Sequence, residues 1–92
     1  MKDEHLNLLN LANEKLGKEF QVMLALEEMT ELSKELIKNI NRKENNNQEI
    51  IEEIVDVYIM LEQLKIVYNI SEQEFMKVMD IKLGRVKKRI DK

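Results

Sequence analysis

Ile50-Ile51-Glu52-Glu53-Ile54-Val55-Asp56-Val57-Tyr58-Ile59-Met60-Leu61 decides the fold. Its apolar residues are dense enough for a buried strand, and several are β-branched. The acids argue for a helix. Glu49, Glu52, Glu53 and Asp56 recur three and four positions apart, which gathers them on one side of an α-helix. Read as a helix from about Gln48 to Tyr68, the segment carries two apolar stripes. One holds Ile50, Ile54, Val57, Leu61, Leu64 and Tyr68, and the other holds Ile51, Val55, Tyr58 and Ile59. A helix that is apolar on two sides must be covered on two sides. In a chain of 92 residues, one of those covers is expected to be another subunit.

Upstream of this segment, Asn41-Arg42-Lys43-Glu44-Asn45-Asn46-Asn47 has no apolar residue and reads as a loop. Asn46 or Asn47 is expected to cap the following helix by accepting a bond from a free backbone N–H. Before the loop, Val22, Ala25, Leu26, Met29, Leu32, Leu36, Ile37 and Ile40 share one broad face at a 3.6-residue period, predicting a helix from about Lys18 to Ile40. A first helix is expected over about Asp3 to Leu16, through Leu6, Leu9, Ala12 and Leu16, with Gly17 as its stop. Downstream, Asn69 and Ile70 make a turn. Ser71 with Glu74 fits a capping box for a last helix to about Ile90, with Phe75, Val78, Met79, Leu83 and Val86 inward.

The predicted fold is therefore all-α, a single helical domain over residues 1–92. It is a short bundle of antiparallel helices, completed by homo-oligomerisation. Hydrophobic residues make up 43% and charged residues 36%, a mixture that suits amphipathic helices and argues against disorder. There is no Pro and only two Gly, so little interrupts the helices. So small a chain buries only about two thirds of its unfolded surface. With no Cys for a disulfide or a structural zinc site, association is the remaining route to stability. The lack of Cys fits a cytoplasmic setting. Met1–Leu16 carries acids and is no signal peptide, and no apolar run is long enough to span a membrane.

Two acidic clusters stand out, Glu27-Glu28-x-x-Glu31 and Glu52-Glu53-x-x-Asp56. No Lys or Arg lies between Glu19 and Ser33, or between Asn45 and Leu64. Like charges at helical spacing repel by a few tenths of a kcal/mol per pair. A lone Glu-x-x-Glu is most often a solvated face. Two of them on helices folded antiparallel bring Glu28 and Glu31 opposite Glu53 and Asp56. That set of hard oxygen donors suits Mg²⁺ or Mn²⁺. Lys34 and Lys38 read as surface partners of nearby acids, His5 as a surface side chain, and Tyr58 and Tyr68 as packing or interface residues.

With these residues in view, Gln21-Val-Met-Leu-Ala-Leu-Glu-Glu-Met-Thr-Glu-Leu32 followed by Ile51-Glu-Glu-Ile-Val-Asp-Val-Tyr-Ile-Met-Leu61 resembles the MazG-type, all-α nucleoside triphosphate pyrophosphohydrolases. Their motif is Glu-Glu-x-x-Glu, a variable spacer, then Glu-Glu-x-x-Asp. The likeness runs over about residues 18–90 and looks like the compact versions, including those of phage genomes. It implies a Mg²⁺-dependent enzyme that converts an NTP or dNTP to the monophosphate and pyrophosphate, working as a homodimer or dimer of dimers in which helices of two subunits form a four-helix core. It implies Glu28, Glu31, Glu53 and Asp56 as metal ligands. Glu27 and Glu52 would orient ligands, hold a further metal or take a proton from the attacking water. Lys82 and Arg85, in Asp80-Ile-Lys-Leu-Gly-Arg85, match a Lys-x-x-Arg region that meets phosphate oxygens. Gly84 stands where members often carry Asn, and the chain has no Trp.

Other functions stay in contention. Residues 77–92 hold 7 basic and 2 acidic side chains, against 8 and 16 over residues 1–76. Such a tail suits nucleic acid, an anionic surface or a phosphorylated ligand, or simply a helix end favoured by its dipole. Nucleic acid ranks low because no binding motif accompanies the charge. A di-iron carboxylate bundle uses Glu-x-x-His pairs, and the only His is His5. A non-catalytic helical interaction protein, docking through the segment after Asn47, is the main alternative.

Overall fold

A computed structural model describes residues 1–91, and Lys92, the last of the basic tail, lies outside the described residues. The elements are α1 (Asp3–Leu16), α2 (Lys18–Arg42), α3 (Asn47–Val67) and α4 (Glu72–Ile90), with no strand among the described residues. The boundaries differ from expectation by one or two positions, chiefly because α2 continues to Arg42.

Each joint has a local cause. Gly17 sits at φ 84°, a left-handed backbone that favours glycine, and its N–H closes α1 on the Asn13 carbonyl at 2.9 Å. The same residue precedes the first turn of α2, so α1 and α2 share a one-residue corner. Lys43, at φ 55°, turns the chain out of α2. The capping box of α4 forms as expected. Ser71 Oγ accepts from the Glu74 N–H at 3.1 Å, and Glu74 Oε1 accepts from the Ser71 N–H at 3.2 Å.

α2 and α3 form the main packed pair, and α1 lies across both. The short 43–46 connection makes the pair antiparallel, with Glu35 beside Asn46 and Glu28 beside Asp56. Their seam buries Ala25, Met60, Gln21 and Gln63, while Leu9 is the buried residue of α1. Small Ala25 lets the two helices approach closely. Gln63 Oε1 is buried without a hydrogen-bond partner.

α4 does not pack along any other helix, and none of its residues is buried. Phe75, Val78, Met79, Leu83 and Val86, expected inward, instead line an outward groove of about 340 Å³. The apolar face of α2 is likewise only partly covered, since Leu26, Leu36, Ile37 and Ile40 are exposed. On α3, the buried residues are Met60 and Gln63, and neither expected stripe is fully covered: Ile54, Leu61 and Tyr68 of the first are exposed, as are Ile51, Val55, Tyr58 and Ile59 of the second. The physical reason is size, because three short helices cannot enclose a fourth while covering both sides of α3.

The dimensions say the same. The radius of gyration is 15.9 Å, against about 12 Å for a compact chain of this length. The accessible surface is 7559 Å², whereas a compact monomer of this mass exposes about 5,600 Å². No helix among the described residues is long and apolar enough to cross a membrane.

Candidate metal centre

The antiparallel register of α2 and α3 places two acidic clusters at the same level. Asn46 pins that register. Its Nδ2 donates to the Glu35 carbonyl at 2.8 Å and to Glu35 Oε1 at 3.0 Å. Asn46 thus stands at the N-terminus of α3 as expected, but its side chain makes no cap there and ties α3 to α2 instead. Together with Lys38, 3.1 Å from Glu35 Oε2, it holds the Glu35 carboxyl below its ordinary pKa.

One helical turn and more from that anchor, Glu28, Glu53 and Asp56 converge. One oxygen of each lies within 4.8 Å of the others. Glu28 and Glu53 are half-buried and Asp56 is exposed, so the group opens to solvent on one side. Beside it a cleft of about 200 Å³ is lined by Leu24, Glu28, Asp56, Ile59 and Met60. Glu53 Oε2 is withdrawn from solvent and has no hydrogen-bond partner.

Every influence resolved on Glu28 and Glu53 opposes their charge. Burial raises the pKa of Glu28 most, followed by its hydrogen bond with Asp56 and the negative charges of Asp56, Glu53 and Glu31. Burial also leads for Glu53, reinforced by Asp56, Glu31, Glu35 and Glu52. The neighbouring ammonium groups are engaged elsewhere, Lys34 with Glu31 at 3.3 Å and Lys38 with Glu35. A carboxylate cluster in that condition is relieved by protonation or by a hard cation.

The other expected site residues are distributed around this trio. Glu31 is exposed, paired with Lys34 and outside the converging group. It borders, with Glu27, Glu28, Met23, Leu26 and Thr30, a second cleft of about 330 Å³ on the outer side of α2. Glu52 is exposed on α3. Lys82 and Arg85 ride on α4, which does not pack against α2 or α3, so within one chain they are not brought to the acids. His5 is exposed, and Tyr68 lies under Lys18, whose Nζ is 4.7 Å from the ring centroid.

Sequence reasoning took Asn46 for a cap and missed its link to Glu35. It also passed over Lys65, the first cation after the acid-only stretch, which pairs with both Glu62 and Glu72.

Comparison with protein-family models, curated proteins and solved structures returned no match.

Proposed function

We propose that this chain is a Mg²⁺-dependent nucleoside triphosphate pyrophosphohydrolase of the MazG type, acting as a homodimer or dimer of dimers. The observation that carries the reading is the convergence of Glu28, Glu53 and Asp56, with Glu53 Oε2 lacking any partner. Three hard oxygen donors, open on one side and without an ammonium to neutralise them, fit Mg²⁺ or Mn²⁺ with room for waters or phosphate oxygens. When bound, such an ion neutralises charge between carboxylates and triphosphate and acidifies a water.

Under this reading Glu28, Glu53 and Asp56 hold the ion, and Glu31 joins them by releasing Lys34. Glu27 and Glu52, at the margins, orient those ligands, support a further ion or accept the proton of the attacking water. Lys82 and Arg85 bind phosphate oxygens. The products are the nucleoside monophosphate and pyrophosphate.

Association is supported by surface area. The chain exposes about 1,900 Å² more than a compact monomer of its mass, and a stable interface buries about 800 Å² per partner. The outer face of α3 and the groove of α4 supply apolar residues for it. The same exposed faces favour one second reading, a non-catalytic helical interaction protein with this fold.

Incubation with Mg²⁺ and a panel of NTPs and dNTPs, followed by product identification, separates the two. The enzyme releases monophosphate and pyrophosphate. Glu53→Gln and Asp56→Asn abolish that release while leaving the helical circular dichroism and the oligomer size unchanged. No turnover across the panel sinks the enzymatic reading, and full turnover by both variants overturns the assignment of Glu53 and Asp56 to the site.

A further inference from the structure

α4 meets the rest of the chain at a very short joint. α3 closes in a Schellman motif, in which the Ile70 N–H donates to the Lys65 carbonyl at 2.8 Å and the Asn69 N–H to the Ile66 carbonyl at 3.1 Å. Asn69 takes the left-handed position at φ 53°. Ser71 then opens the capping box of α4. These caps fix Asn69 and Ser71 but leave the torsions of Ile70 between them. A small rotation there swings the far end of a 19-residue helix, an arm about 28 Å long.

The α4 side chains in ionic or cation–π contact with the core are Glu72 and Phe75, and both meet Lys65. Lys65 Nζ lies 2.8 Å from Glu72 Oε2 and 3.4 Å from Glu62 Oε2. It also sits 4.2 Å from the centroid of the Phe75 ring. Its side chain is only 11% exposed, an unusual state for a lysine and one stabilised by these partners. Beyond this first turn, α4 buries nothing that sets its direction.

We propose that Lys65 is a positioning residue, which fixes the angle of α4 by holding Glu62, Glu72 and the Phe75 ring at once. The arm so aimed carries Lys82, Arg85 and the apolar groove to their place in the assembly. That consequence for Lys82 and Arg85 rests on the nucleotide reading. The angle does not, and it is measured without nucleotide.

Because the chain has no Cys, cysteines introduced at exposed Asn7 on α1 and Lys88 on α4 accept spin labels without background. Labelled chains diluted in unlabelled protein report distances within one chain. The parent gives one narrow distance distribution. Lys65→Met loses that narrow peak with helical circular dichroism unchanged. Lys65→Arg restores it, since a guanidinium pairs with carboxylates and stacks on a ring. The double variant Glu72→Ala/Phe75→Leu, altered only at exposed positions, also loses the peak while Lys65 stays in place. A narrow peak in a folded Lys65→Met or in the double variant, or failure of Lys65→Arg to restore it, overturns the proposal.

Discussion

Glu28 on α2 and Asp56 on α3 each bring a carboxyl oxygen within 4.8 Å of the other, with an oxygen of Glu53 at the same range. Two carboxylates so placed repel. The packing of Ala25 and Met60 nearby, and the tie from Asn46 to Glu35, outweigh that repulsion and keep the acids together. The fold thus holds an electrostatic conflict at its best candidate site.

Removing one charge should relieve the conflict. Burial and neighbouring acids raise Glu28 and Glu53 above 4.5, so the folded chain binds their protons more tightly than the unfolded chain does. With respect to these groups, stability is lowered at neutral pH and rises as pH falls through the raised values toward 4.5. Glu35, held low, contributes in the opposite direction, so the comparison is made by difference. Glu53→Gln raises the Tm of metal-free protein at neutral pH, and this gain shrinks on acidification. Added Mg²⁺ raises the Tm of the parent and not of the variant. At a hundred times its Kd the ion contributes about 2.7 kcal/mol, and each kcal/mol moves the Tm of so small a chain by about 4–8 °C. Circular dichroism melts with chelator and with Mg²⁺ check both signs.

Asn46 is buried and makes two bonds to Glu35, while its Oδ1 accepts from Asn39 at 3.3 Å. Asn46→Ala removes all three, one of them to an ionised group, and costs about 1–3 kcal/mol. Asn47→Ala, at an exposed neighbour, serves as the near-neutral control. Urea midpoints of the two variants test the difference, and equal midpoints refute it.

Gly84 lies within α4, and a Cβ built there meets nothing within 4 Å. Gly84→Ala therefore gains helix stability of about 1 kcal/mol. Under the proposed function, nucleotide hydrolysis is expected to be unaffected, because the added methyl has open space. A melt and a turnover assay on the same preparation decide this, and a lower Tm would mean that α4 is closely covered in the assembly.

Val55 stands with Ile51 and Tyr58 on the outer face of α3. Placing a carboxylate there with Val55→Asp should dissociate the proposed oligomer, since an unpaired charge is costly to bury in an apolar interface. Sedimentation velocity is expected to give a multimer for the parent and a monomer for the variant. An unchanged sedimentation coefficient excludes that face as the contact.

Much of the fold was legible in the chain because helix formation is local. The apolar period of α2, the acids of α3 and the Ser71–Glu74 capping box involve neighbours three or four positions apart. The position of α4 was not legible. Its Phe75, Val78, Met79, Leu83 and Val86 share an apolar face that reads as inward, yet no helix of the same chain reaches it. Amphipathic patterning says that a face needs cover without saying which chain supplies it.

By itself, the sequence determined the helices, their ends to within two positions, and the acidic character of two segments, because those properties depend on residue type and short spacing. Only the tertiary structure decided which acids meet. Glu28, Glu53 and Asp56 converge because the loop and the Asn46–Glu35 tie set one register between α2 and α3. Glu31, three residues from Glu28, is half exposed and pairs with Lys34 instead, although its charge still acts on Glu28 and Glu53.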